Sequence, residues 1–502
     1  MQNSRFYRDP ILVSSAKVFP RLGRLLLVWL VLFSASVDCS RAGGGLSMGP
    51  LLDTFPLTLS PGCRTEALGP LFYSEQAEEQ RTWAIPPLLS RMWDPATDFN
   101  QLDLAYPLVT YRRFGTEYRW HVLQVFSFAG SQDSQGENSG RFTLFPFYFQ
   151  QRSTDSNANY TAVFPIYGHL QNRLFRDDIF FVMFPIYGRS RKQDVVTDNY
   201  VYPFFHLRHG DSLRGWQLWP LAGHEHQDPV TRTNGFGDTE LSGGHDETFV
   251  LWPSWMLKTS GIGTENPQWE QTLLPFYDVF RSPQRDSTTV IWPVFAHVTD
   301  RDKKYREWQI PWPLIVFARG EGKTTSRVWP LFGRAQTKYL ESEFCLWPIY
   351  GYTRAHADAF DRERTRILFF LYSDTVQKNV ETGEAQRRID LWPLFTHTRD
   401  YNGNSRLQIL APLEPFLPFS PAIERNYSPL WSIWRAEKNP RTGATHESLL
   451  WNLYRFDTTS QSTKCSILLG LVQYQSGSQG KRLRLLSVPV LNTGPAADLH
   501  QK

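Results

Sequence analysis

The sequence predicts an all-β protein, an antiparallel up-and-down meander of about 16–18 strands that is closed or strongly curved. Three observations predict it. A phrase of aromatic, proline, aliphatic, aromatic and small residue recurs along most of the chain. Most successive phrases lie 17–22 residues apart, which leaves no room for a helical crossover. Between phrases sit HGDSLRG, RGEGKTTS, YNGNS and similar clusters, whose Gly, Asn, Asp and Ser make turns. Propeller-like β blades are the alternative arrangement of the same strands.

The 502 residues carry 53 Lys+Arg against 49 Asp+Glu, a formal net charge of +4. So mild a balance gives no reason to expect nucleic acid as a partner. Charged residues at 20% and hydrophobic residues at 41% exclude global disorder. Aromatics reach 15%, and the repeated phrase is built from them.

In chain order, residues 1–38 read as a signal peptide. Arg5, Arg8, Lys17, Arg21 and Arg24 precede an apolar run over 25–37 that is short for a bilayer span. Cys39, in SVDC, and Cys63, in LSPGC, are the two positions for a lipid anchor. They could instead bridge each other in an oxidising compartment. Residues 39–102, punctuated by GGGL, SPG and IPPLL, read as a linker and irregular segment. Residues 103–492 form a single β-repeat domain, and 493–502 a disordered tail. Cys345 and Cys465 lie in apolar strand-like segments and are expected as buried thiols.

The phrases run from FPFYF at Pro146 through FPIYG at Pro165 and Pro185 to LWPLFTH at Pro393. A polar insertion fills the long interval between Pro220 and Pro253. ILFFLYSD at Ile367, LWSIW at Leu430 and LWNLY at Leu450 are copies that lack the proline. Strands of about 12 residues centred on the phrases, with turns of about 6–8, fill the period. A proline inside a strand removes a ladder hydrogen bond, so aligned bulges that curve the sheet are expected. At the strand midpoints both faces read as apolar. Val328, Pro330 and Phe332 oppose Trp329, Leu331 and Gly333. Most aromatics are therefore expected in a core rather than stacked on sugars.

Candidate chemistry is sparse. His206, His209, His224 and His226, with His245, Glu225 and Asp246 nearby, are the metal-ligand candidates. Imidazoles converging with a carboxylate would suit zinc or another transition metal. Alternation puts His224 and His226 on one face but does not require it of His206 and His209. The plainer reading is polar residues near turns. RGEGKTT lacks the earlier phosphate-loop glycine, whose place falls at Phe317. GxSxG, HExxH and CxxC do not occur. No catalytic residue is assigned and no cofactor is expected.

The repeats, with SLLWNLYRFDTT and KCSILLGLVQY near the end, resemble uncharacterised exported, lipoprotein-like bacterial proteins with tandem W/F-P-aliphatic-aromatic β-strand repeats. The resemblance implies an envelope address and no enzymatic activity. It also implies Cys63 as the anchor, through the following EALGPLFYSE. The expected function is that of a non-catalytic structural or interaction protein of a bacterial cell envelope, in the periplasm or at the outer membrane. Its partner would be an envelope protein, a glycan or a lipid, with membrane association through a lipid anchor or a barrel. An outer-membrane β-barrel for transport or biogenesis stays open, although an apolar stretch of about six residues is short for the ~25 Å band of such barrels. So does a glycan-binding or metal-dependent exported enzyme.

Overall fold

The computed structural model describes residues 51–493, apart from 133–137, 234–236, 238, 469, 479 and 487. The signal-peptide region, Cys39 and the tail beyond 493 lie outside the described residues. The described residues form an antiparallel all-β meander, with 43 strands in one sheet. A separate hairpin, Val230–Thr233 with Thr239–Ser242, occupies the polar insertion. Across it, Ala222–Gln227 pairs directly with Gly244–Val250.

The phrases are not strand midpoints, and this corrects the strand count. Described strands run from four to eight residues, near half the expected length. Val250 pairs with Trp255, so Leu251, Trp252, Pro253 and Ser254 form the connection between two strands. Similarly Val328 pairs with Phe332 around Trp329, Pro330 and Leu331. One period is therefore a whole hairpin plus its return turn. It holds two strands, one aromatic–proline turn and one polar turn, which gives 45 strands among the described residues rather than 16–18. In a meander, alternate connections lie at opposite ends of the strands. All the aromatic–proline turns thus share one edge of the sheet, and the polar turns share the other.

Backbone hydrogen bonding explains the proline. The Leu251 N–H donates to the Leu221 carbonyl, the Trp252 N–H to the Pro220 carbonyl and the Ser254 N–H to the Leu251 carbonyl, each at 2.7 Å. The remaining residue, Pro253, has no N–H to satisfy. Leu346, Trp347 and Ile349 make the same three bonds around Pro348, at 2.6, 2.8 and 2.7 Å. The peptide bond preceding each of these prolines is cis. Proline fills a turn position that donates no bond to the neighbouring turn; where proline is absent, Phe370 in its place donates to the Leu368 carbonyl of its own turn at 2.8 Å. The proline-less copies at Leu368 and Leu450 keep the turn, with Leu371 bonded to Leu368 at 3.2 Å and Leu453 to Leu450 at 3.1 Å.

The small residue ending several phrases has a steric cause. Gly333 lies directly across from Phe344, and a Cβ on Gly333 would sit 2.1 Å from the Phe344 ring. Gly223 faces Phe249 in the same way, at 2.4 Å. The ring of one strand lies flat over the bare backbone of the next.

Residues 39–102, read from sequence as irregular, hold strands from Leu52 onward that join the same ladder. Their turn IPPL repeats the phrase geometry, with Leu88 bonded to Ile85 at 2.8 Å. The expectation of two dry faces is also corrected. The buried apolar cluster is small: Phe149, Tyr160, Ala162, Leu170 and Phe181, flanked by Phe164 and Phe184. Strand centres carry cross-strand ion pairs instead, such as Arg189–Asp198 at 2.6 Å and Arg387–Asp374 at 2.7 Å. Once the phrases become turns, the strands fall on the polar stretches between them. Cys345 is exposed and Cys465 half-buried, and both are free thiols.

Two short helices, α1 (Pro421–Asn426) and α2 (Ser428–Trp431), interrupt the meander between strands Ser405–Ile409 and Trp434–Asn439. They lie against the strands Gln80–Ile85 and Leu89–Asp94 and the 3-10 turn Gly69–Leu71. Among the described residues no ladder pairs the first strand with the last. We predict that Gly333→Ala lowers stability by about 1–3 kcal/mol through overpacking against Phe344. Gly351→Ala, whose Cβ would meet open space, is expected to stay within about 0.5 kcal/mol. Thermal melting of the two variants compares them.

Candidate functional site

The aromatic–proline edge is the most distinctive surface of the molecule. Its side chains are well exposed, for example Leu251 at 56% and Trp252 at 44%. Neighbouring turns bring their rings together. Phe184 lies 5.3 Å from Phe164 and 5.5 Å from Tyr202, and Trp347 lies 5.7 Å from Trp329 and 5.0 Å from Phe369. Such pairs contribute about 0.5–1.5 kcal/mol each beyond area burial. From Leu68 to Leu394, no described turn on this edge contains Asp, Glu, Lys or Arg.

One residue further in, the register lines up a second apolar row. Val182, Tyr187, Tyr200, Phe205 and Leu218 succeed one another directly across five strands. Val250, Trp255, Leu273, Tyr277, Val290 and Phe295 continue it. Turn and row together make an apolar band roughly 7–10 Å deep at ~3.3 Å per residue. With 43 strands at ~4.8 Å spacing, that band follows an edge about 200 Å long.

The histidine candidates divide between the faces. His209, Arg214, His226 and Asp246 are successive cross-strand neighbours on one face. His206 belongs to the other, in register with Gln217 and Gly223. His224 and His226 already have partners. His226 Nδ1 lies 3.0 Å from Asp246, and His224 Nδ1 lies 2.9 Å from the Thr248 hydroxyl. Hydrogen bonds to Asp246 and Asp228 push the His226 imidazole up, whereas burial pushes His206 down. Glu225 is held by Arg208 at 2.6 Å and by His245 at 2.8 Å. Among the described residues no three His, Cys, Asp or Glu side chains are grouped to hold a metal ion.

Cys63 is buried in strand Gly62–Ala67 and is disulfide-bonded. A lipid anchor there would need that sulfur free. Cys39 lies outside the described residues.

The sequence reading missed a buried charged seam joining the two ends of the meander. Asp103, fully buried, pairs with Arg425 of α1. Arg425 also donates to the Ser90 hydroxyl at 2.9 Å, and Tyr73 donates to the Arg425 carbonyl at 2.8 Å. Further along, Arg455 bridges Asp53 at 3.1 Å and Asp457 at 2.6 Å, and Asn452 donates to Glu66 at 2.5 Å. Glu437 accepts from Arg406 at 3.1 Å and Arg435 at 2.7 Å. Phe55, Arg64, Glu66, Glu75, Arg406 and His446 are among the residues enclosing a cavity of about 110 Å³ here. Burial pushes the Glu437 carboxyl up, but Arg435, Arg406 and His446 overcome it and hold the group well below the usual carboxylate range. Burial, Arg455 and His446 act on Asp457 in the same senses, with the same outcome. Each charge is compensated, so the arrangement ties strands together rather than presenting a reactive group. The pairs that join the two ends, Asp103–Arg425, Asp53–Arg455 and Glu66–Asn452, stand more than 300 residues apart, and the only sequence traces were Asn452 in a proline position and the broken period around residues 410–433.

No protein-family model matches this chain, and no curated protein matches it.

Two outcomes follow from the seam. Asp103→Ala strands a buried guanidinium and should cost about 3–5 kcal/mol locally. Hydrogen exchange should then quicken at residues 52–106 and 421–431 but not in the central hairpins, because repeat arrays are stabilised by nearest neighbours. Glu437 and Asp457 have folded-state pKa values depressed from about 4.3 and 3.9. Their contribution is present above those values and is lost as pH falls through the depressed ones. Seam protection measured by hydrogen exchange should be level from pH 7 to 5 and weaken below about pH 4, with Glu437→Gln flattening part of that change.

Proposed function

We propose that this chain is a non-catalytic, exported protein of a bacterial cell envelope that rests on a membrane surface by its aromatic–proline edge. The observation that carries the reading is the uncharged edge itself. Trp and Tyr favour the bilayer interface, where an apolar ring and a polar tip both find a suitable medium. Interfacial structures bury an apolar face ~5–10 Å into the headgroup region, which is close to the depth of the band. A lipid environment requires that backbone polar groups be satisfied within the protein. The phrase turns meet that requirement, with each N–H bonded at Leu251, Trp252 and Ser254 and none present at Pro253. The disulfide at Cys63 suits an oxidising compartment and so an exported protein.

Strands of four to eight residues favour lying on a bilayer over crossing it, which takes ~9–11. The sheet curves so that its first strands reach the strands near its end, a reading supported by the Asp103–Arg425 and Asp53–Arg455 pairs. The test is flotation of the full chain with phosphatidylcholine vesicles. Replacing Trp219, Trp252 and Trp329 together with Glu should reduce binding at least tenfold, since burying one large apolar side chain is worth ~1.5–3 kcal/mol. An unchanged affinity with an unchanged circular dichroism spectrum would refute the edge as the contact.

A further inference from the structure

A groove of about 700 Å³ opens on the sheet around strands Val109–Phe114, Glu117–Val122, Phe126–Gln132 and Asn138–Leu144. It is lined by Arg112, Arg113, Arg119, Arg141, Arg152 and Arg173, with Glu117 as its carboxylate. Arg112 and Arg119 stand directly opposite each other in the ladder, and Arg119, Ala129 and Arg141 follow in one row. Like charges directly opposite destabilise a sheet. Elsewhere on this molecule strand-centre arginines such as Arg189 and Arg387 pair with carboxylates. Here Arg113 pairs with Asp98 at 3.0 Å, whereas the partners of Arg141, Arg152 and Arg173 are neutral. Arg141 donates to the Gln151 side-chain oxygen at 2.8 Å, and Arg173 donates to the Tyr160 hydroxyl at 3.0 Å and the Thr143 hydroxyl at 3.1 Å. These bonds fix the guanidinium planes without neutralising them. Burial together with Arg119 and Arg112 pushes the His121 imidazole down, as an uncompensated positive field would.

The chemistry that answers such a cluster is a phosphate, which guanidinium groups bind bidentately. Position identifies its source. Arg119 and Arg141 each lie four residues from the edge turns at Leu123 and Phe145, or roughly 13 Å along the strand. Long arginine side chains can shorten that gap by reaching toward the interface. Leu123, Val125, Phe145 and Phe147 are all exposed at that edge. We propose that this groove binds the phosphate headgroup of an anionic membrane lipid whose acyl chains meet the apolar edge at these four residues. The inference rests on the membrane-edge reading and adds the lipid class to it.

The experiment compares flotation of the full chain with phosphatidylcholine vesicles and with vesicles containing about one-third phosphatidylglycerol, at low and high salt. The expected result is tighter binding to the anionic vesicles, weakened by salt. Arg119→Gln with Arg141→Gln should lose that preference, by roughly fivefold per arginine removed, while binding to phosphatidylcholine is kept. Removing like charges should leave the melting temperature equal or higher, which guards against misfolding as the cause. Equal binding to both vesicles, or a preference surviving in the double variant, overturns the groove and leaves the edge intact. Binding to neither vesicle overturns the edge. Titration with glycerol phosphate provides a further arm: affinity matching that for anionic vesicles would assign the groove to a free phosphate and overturn the lipid.

Discussion

The structure depends on one constraint: every backbone N–H at the apolar edge must find an acceptor within the chain. An uncharged, aromatic turn sheds water, and an unsatisfied N–H there costs about 1–3 kcal/mol. The four-residue turns, such as Leu251–Ser254, meet the constraint by bonding two N–H groups to the preceding turn and one across their own, and their proline has no N–H at all. Shorter turns such as that of Trp329 make one bond to the preceding turn. Because each turn accepts from the next, the edge is a continuous chain of hydrogen bonds rather than a series of independent loops.

The remaining architecture follows from repeating that unit. Cross-strand pairs such as Phe344 over Gly333 set the register of a hairpin, and ring contacts between successive turns set its neighbour. Both interactions are local, so the sheet grows by nearest-neighbour contacts with little apolar core. A single layer of this length has no internal means of fixing its ends relative to each other. The helical insertion supplies one, through Arg425 on Asp103 and the charged cluster around Glu437 and Arg455. Buried ion pairs add little net stability against an apolar alternative but penalise misalignment heavily, which suits a contact that must select one register between distant strands.

The two edges differ in chemistry for the same reason that they differ in sequence. One set of turns lacks charge and packs ring against ring; the other is rich in Gly, Asn, Asp and Arg. A sheet so polarised across its strand length has one margin suited to an apolar medium and the other to water. The arginine groove lies between them, at the level where a phosphate layer would stand if the apolar margin entered a bilayer.

The amino-acid order alone determined the all-β class, the antiparallel meander and the two kinds of punctuation. Local chemistry is enough for these: turn residues and periodic spacing act over a few positions, and even the proline-less copies at Leu368 and Leu450 were recognisable. It also determined that His224 and His226 share a face, since strand alternation is exact over two residues. Where the phrases sit was decided only by the tertiary ladder. A proline amid apolar residues fits a bulged strand or a tight turn equally well until the acceptors for Leu251 and Trp252 are known, and those belong to a neighbouring hairpin. The choice halved the strand length, moved the aromatics from an expected core to an exposed margin and left charged residues at the strand centres. The seam and the arginine groove were illegible for the same reason. Their members come from several strands, and only the folded sheet brings Asp103 to Arg425, or Arg112 opposite Arg119.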